Sequence, residues 1–228
     1  MDALQSRRES PERVPQEQTA SVFIVDQDTA TRQALESLIR SMGWIVSTFA
    51  SVEDFLLHRR ILAPGCLVLD VAPPLLDGPA FQEIAAARRL LPIVFVTALR
   101  DVTMTVRAMK SGAVDFLTKP VDRSAILRAV QCAVDRSQQA LVHEASLRLF
   151  RARYDSLSGR EREVMSLVVS GLLNKQVGAE LGISEITVKA HRGNLMHKMA
   201  AKSLAELVQM AGRLRLAEAA APPAAFGR

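Results

Sequence analysis

From Ser21 onward the chain alternates a short apolar run with an amphipathic helical stretch, five times in succession, and few folds accept that order. SVFIV (21–25), WIVSTF (44–49), CLVLDV (66–71), PIVFVTA (92–98) and VDFLTKP (114–120) read as strands. The first of them is apolar throughout, which suits a strand covered on both faces. The helical stretches follow in step. Asp28 to Met42 places Leu35, Leu38, Ile39 and Met42 on one face, with Gly43 as its stop. Ser51 opens the second helix with Asp54 three residues on, and Asp77 to Leu91 starts at Gly78-Pro79. Asp101 to Ser111 closes at Gly112, and Asp122 starts the fifth. The order predicts an α/β fold with a doubly wound, five-stranded parallel sheet, and functional groups at the carboxyl ends of its strands.

A different pattern takes over further on. Val121 to Ser158 contains neither Gly nor Pro, so the fifth helix is expected to continue as a rod into a linker. Val130, Val134, Leu141, Ala145 and Leu149 fall near multiples of 3.5, either a seam for a partner helix or the inner face of a helix packed on its own domain. Ser158-x-x-Glu161 is a capping box opening a helix through Ser170, ended by Gly171. Asn174 is expected to cap a second helix to Leu181, Gly182 permits a tight turn, and Ser184 caps a third helix to about Met199. Ser203-x-x-Glu206 opens a fourth, with Leu204, Leu207 and Val208 on its inner face. Two short helices, a tight turn and a longer helix make a helix-turn-helix, which lays its last helix in the major groove of DNA. Val188, Leu195 and Met199 face inward, leaving Thr187, Lys189, Arg192, Asn194 and Lys198 toward solvent. Lys189 and Arg192 reach guanine edges or phosphates, Thr187 and Asn194 either, and Lys198 the backbone. His191 reads as a half-buried helix residue.

Composition is consistent with this division. The net charge is +5, and residues 156–216 hold nine Lys or Arg against five Asp or Glu, a basic bias suited to phosphates. Cys66 and Cys132 stand alone without ligand spacing and read as reduced structural thiols of a cytoplasmic protein. No apolar run approaches the roughly 20 residues of a membrane span, and the polar N-terminus lacks a signal-peptide core. The expected organisation is a disordered tail over 1–19, a sheet domain over 20–137, a helical linker over 138–155, a small all-α domain over 156–216 and an Ala/Pro-rich disordered tail over 217–228.

The strand ends carry Asp26, Asp70, Thr97 and Lys119, the last followed by Pro120. VFIVDQD, CLVLDVAPPLLDG, IVFVTA and GAVDFLTKP together resemble the receiver domain of bacterial two-component response regulators, a flavodoxin-like fold, over about Ser21 to Arg136. The stretch from Leu157 to Leu216 resembles the LuxR-type helix-turn-helix of the NarL/FixJ family. The resemblance implies that Asp70 attacks a phosphohistidine of a sensor histidine kinase and becomes an aspartyl phosphate. It implies Mg²⁺ held by Asp26, Asp70 and the backbone carbonyl of Ala72. Lys119 would pair with Asp70 and then with the phosphoryl group, Thr97 would hydrogen-bond that group, and Phe116 would swing inward. A cis Lys119-Pro120 peptide is part of the same pattern. The implied output is a transcription regulator that binds promoter DNA as a homodimer, with Met104 and Ala108 as a candidate dimer face.

Two departures leave an alternative open. The family's second adjacent acid is Gln27 here, which lowers the charge facing a hard divalent cation and weakens Mg²⁺ binding; Asp28 is better placed as a helix cap. The usual Arg-Met pair after the acceptor and its Val is Ala72-Pro73. Phosphorylation of Asp70 therefore stands beside a degenerate receiver with phosphate-independent DNA binding. A separate enzyme with an Asp nucleophile is disfavoured, because Ala72 stands where a phosphatase would carry its general acid; the receiver would catalyse only its own phosphoryl transfer and dephosphorylation. An adaptor without DNA contact is disfavoured by Lys189 and Arg192.

Overall fold

In the computed structural model, which describes residues 19–58, 63–71, 90–98, 106 and 112–220, the five apolar runs form one sheet. Strands β1 (Ser21–Val25), β2 (Ile45–Phe49), β3 (Gly65–Asp70), β4 (Ile93–Thr97) and β5 (Asp115–Thr118) pair in parallel in the order β2-β1-β3-β4-β5. Register runs Val25 beside Phe49 and Leu69, Asp70 beside Val96, and Thr97 beside Thr118. The carboxyl ends of β1, β3, β4 and β5 therefore line up along one edge, and the order reverses between β1 and β3. That reversal opens a crevice.

Alternation of side chains divides the core in two. Val22, Ile24, Cys66, Val68, Val94 and Val96 face helices α1 (Thr29–Arg40) and α3 (Arg123–Asp155), joining Leu35, Ile39, Ile126 and Val130. Phe23, Val25, Leu67, Leu69 and Phe95 face the other way, onto Val52 and Phe55 of α2 (Val52–Leu57). Burial of each such side chain contributes about 1.5–3 kcal/mol, which is why the central strands β3 and β4 carry no polar side chain before their carboxyl ends. Gly65 is required at the start of β3, since a Cβ there would lie 2.1 Å from the Ser21 carbonyl oxygen.

The expected caps of this unit are in place. Asp28 Oδ2 accepts the Thr31 N–H at 2.9 Å, Ser51 Oγ the Asp54 N–H at 3.1 Å, and Asp122 Oδ1 the Ala125 N–H at 2.8 Å. Met42 departs from its expected inner face and is exposed, because α1 ends at Arg40 and Gly43 turns with φ +82°. The stretches expected as the third and fourth helices, with Ala72, Met104 and Ala108, lie outside the described residues apart from isolated positions.

The chain divides into two compact units, Met1–Leu141 and Val142–Arg228. Helix α3 spans the boundary, and the seam read from its sequence is split accordingly. Val130 and Val134 are buried in the sheet's core, whereas Ala145 and Leu149 are exposed. The last buried residue of the first unit's part of α3 is Ser137, whose Oγ accepts the Gly65 N–H at 3.1 Å and donates to the Leu90 carbonyl at 2.8 Å.

The second unit carries α4 (Gly159–Val169), α5 (Asn174–Leu181), α6 (Glu185–Met199) and α7 (Leu204–Ala220) around Val164, Val168, Val177, Val188, Leu195, Met199 and Leu207. Phe150 and Tyr154, at the end of α3, pack against the same core. The turn between α5 and α6 closes on Gly182 at φ +65°, and a Cβ on Gly178 would lie 2.7 Å from the Ile183 carbonyl oxygen. Three expectations change here. Asn174 is the first helical residue rather than the cap, and the Leu173 N–H is satisfied instead by Gln176 Oε1 at 2.8 Å. The inner face of α7 is Leu207, Met210, Ala211 and Leu214, with Leu204 and Val208 partly exposed, since a helical stripe continues at spacings of three and four. Finally, α7 runs to Ala220, into the segment expected as a tail; alanine is the best helix former and carries it on.

Candidate functional site

The crevice at the sheet edge gathers the expected acids around one lysine. Asp26, just past β1, is 2% exposed, and its Oδ1 accepts the Asp28 N–H at 2.9 Å. Lys119 Nζ lies 2.7 Å from Asp26 Oδ2 and 3.0 Å from Asp70 Oδ2, so one ammonium holds two carboxylates. The Lys119–Pro120 bond is cis. Thr97 is fully buried, and its hydroxyl donates to the Val71 carbonyl at 2.7 Å. Phe116 is half-buried beside Phe95, with ring centroids 6.4 Å apart.

Electrostatics set Asp70 apart. Burial pushes its carboxyl above the ordinary carboxylate range; the Lys119 hydrogen bond works against this, and the neighbouring Asp26 charge adds to it. Burial also disfavours the Lys119 ammonium, but its hydrogen bonds to Asp26 and Asp70 outweigh that and raise its pKa. Two carboxylates share one ammonium, an excess of negative charge at a partly open site. That excess suits a divalent cation, which binds through one or two carboxylates and keeps several waters. Asp26 and Asp70 therefore fit the cation that the fold implies, with fewer acids than its usual site. Gln27 is exposed; its backbone carbonyl and that of Asp26 accept from Arg32 Nη1 at 2.9 and 2.6 Å. Arg32 Nη2 also donates to Thr29 Oγ1 at 2.9 Å, so this guanidinium clasps the whole loop after β1. Ala72 lies outside the described residues.

The second site is the surface of α6. Ser184 Oγ accepts the Thr187 N–H at 3.1 Å and fixes the start of the helix, while Val188, Leu195 and Met199 are fully buried. Thr187, Lys189 and Asn194 are exposed, and Lys189 pairs along the helix with Glu185 at 3.0 Å. His191 is half-buried, as read. One side chain differs from the reading, and another has a partner that the sequence did not show. Arg192 is half-buried and donates to Asn174 Oδ1 at 3.0 Å. Lys198 is exposed, as read, and its Nζ also lies 2.7 Å from Oε2 of buried Glu161.

The pattern of bacterial regulatory proteins of the luxR family matches residues 155–211, and that of the response regulator receiver domain matches residues 22–131. Nodulation protein W of Bradyrhizobium diazoefficiens is 44% identical over 86% of each chain. The transcriptional regulatory protein FixJ of the same species is 39% identical over 84% of this chain and 94% of its own. The chain belongs to the NarL/FixJ family of response regulators. Among solved structures, the response regulator StyR is similar at 41% identity and a TM-score of 0.74, over 86% of this chain and 99% of its own.

This response regulator thus pairs a receiver with a LuxR-type DNA-binding domain. No helix among the described residues is long and apolar enough to cross a membrane. Burial pushes the Cys66 thiol of its receiver up, away from the reactive thiolate. Several working residues of the regulator escaped sequence reasoning. Arg32, Ser137 and Arg153 bond to backbone carbonyls, the last to that of Met199 at 3.2 Å, and no spacing rule marks such contacts. Glu161 was legible as a capping-box member, but its second partner, 37 residues away, was not.

Proposed function

We propose that the regulator is switched by phosphorylation of Asp70 and reads promoter DNA with α6. The observation that carries this reading is the single Lys119 ammonium bridging Asp26 and Asp70 at the switch point of the sheet. Asp70 Oδ attacks the phosphorus of a phosphohistidine on a sensor histidine kinase; the P–N bond breaks as the P–O bond forms, and the imidazole keeps the bonding pair. Lys119 then turns from carboxylate to phosphoryl oxygen. The Thr97 hydroxyl leaves the Val71 carbonyl for the same group, and Phe116 moves into the space released. Receiver domains bind Mg²⁺ for phosphorylation; Asp26, Asp70 and the Ala72 carbonyl would hold it, and it neutralises phosphoryl charge when bound. The changed surface around β5 then favours a homodimer, which sets two α6 helices on two half-sites of duplex DNA in the cytoplasm. Lys189 meets a base edge; Thr187 and Asn194 contact base or phosphate.

A second reading is favoured by Gln27, an exposed amide where the usual acid would face the cation. In that reading DNA binding is independent of phosphate. Acetyl phosphate with Mg²⁺, applied to the natural protein and to Asp70→Asn and Gln27→Asp variants, separates the two. Label on the natural protein, absent from Asp70→Asn, is the expected result. Label on Gln27→Asp alone would leave the natural receiver phosphate-independent.

A further inference from the structure

The basic side chains of α6 are not equivalent. Lys189 is largely exposed, and its partner Glu185 lies one turn back on the same helix. The Lys198 ammonium instead reaches across to Glu161, whose side chain is 4% exposed. The Oε2 atom that takes Lys198 also accepts the Ser158 N–H at 2.8 Å, so the same oxygen closes the capping box of α4. Lys198 pulls the Glu161 carboxyl below the ordinary carboxylate range, with the Ser158 N–H second.

Apolar contacts alone fix the orientation of α6 poorly. Val188, Leu195 and Met199 would tolerate small rotations and slides against Val164 and Val168, because dispersion and burial have no direction. A charge-assisted hydrogen bond to a buried carboxylate is directional, and breaking it strands an unpaired buried charge. Lys198 is exposed at the flank of the buried face that carries Leu195 and Met199, so its tether fixes the helix from the side, where apolar packing ends. Two N–H donors of this ammonium remain and its side chain is 38% exposed, so a phosphate would have to share Lys198 with the Glu161 carboxylate, whose negative charge opposes it.

We propose that Lys198 and Glu161 are a positioning pair that sets the angle at which α6 presents Thr187, Lys189 and Asn194 to DNA, and that Lys198 is not a phosphate contact. This rests on the DNA-reading function proposed for α6. The probe is a duplex selected from a randomised pool by the full-length natural protein, with a scrambled duplex as competitor. Affinities are measured across a salt series, well below the melting temperature of each variant. Failure of the natural protein to select any duplex would remove the DNA-reading function itself. Given selection, Lys198→Met and Glu161→Gln should each lose about tenfold of the preference for selected over scrambled DNA, the scale of one misplaced base contact. The slope of log K against log salt should stay unchanged in both, and Lys198→Arg should restore the preference. Lys189→Met is the contrast, losing affinity with a change in slope or in preferred sequence. A slope smaller by about one in Lys198→Met, the signature of a lost phosphate contact, would overturn the proposal. Unchanged slope with unchanged preference would overturn it too, reducing the pair to stability alone. Should Lys198→Met fail to fold, the Glu161→Gln/Lys198→Gln double variant leaves no bare charge and gives the same readouts.

Discussion

At the residue scale the molecule holds a few side chains and backbone angles at a cost. Asp70 is the first: burial and the Asp26 charge raise its pKa, so the folded receiver takes up a proton there more readily than the unfolded chain does. The charged form therefore lowers stability at neutral pH, and the cost fades as pH falls through the raised value. Asp70→Asn should raise the melting temperature of the receiver at neutral pH while abolishing phosphoryl uptake; a lower melting temperature would contradict this account. Ala200 is the second, closing α6 at φ 52°, a left-handed angle that costs an L residue energy. Ala200→Gly should stabilise the DNA-binding domain by about 0.5–1 kcal/mol in denaturant titration. Gly65 shows the opposite limit. Gly65→Ala would drive a methyl into the Ser21 carbonyl and should cost about 3 kcal/mol by the same measurement, because only backbone can move aside.

At the element scale, the parts legible in the sequence were those fixed by local periodicity or by a cap. The strands, the starts of α1, α2, α4 and α6, and the buried triad Val188, Leu195 and Met199 follow from spacing and from Ser or Asp at the right offset. The convergence of Asp26, Asp70, Thr97 and Lys119 was legible because parallel strands must bring their ends together. What was not legible depended on distant partners. Asn174 looks like a cap and is instead a hydrogen-bond acceptor for Arg192, and Lys198, solvent-facing as expected, also holds Glu161. Ser137 is similar: its hydroxyl joins α3 to the start of β3, 72 residues away in sequence. Ser137→Ala would leave the Gly65 N–H and Leu90 carbonyl unsatisfied, an expected loss of about 1–3 kcal/mol. An unchanged denaturation midpoint would show that these groups find other partners.

At the scale of the whole molecule, two units with separate cores share one continuous helix, so they answer to different conditions. In the second unit the Glu161 carboxyl is held low by Lys198 and by the Ser158 N–H. A depressed carboxylate stabilises the fold above the ordinary carboxylate range, and that contribution disappears as pH falls through the lowered value. Acidification should therefore weaken the DNA-binding unit through Glu161. In Lys198→Met the pull on Glu161 is gone, and its share of the acid sensitivity should be smaller in melts taken from neutral to acidic pH.

The single indole of the chain, Trp44, lies against the aliphatic core of the sheet, and the single phenol, Tyr154, lies under the Arg162 guanidinium in the other unit. Nature has thus placed one optical reporter in each half. Emission excited at the red edge, where only indole absorbs, follows the sensing half alone, and phenol signals follow the reading half, so the order in which the two come apart is open to measurement without any added label.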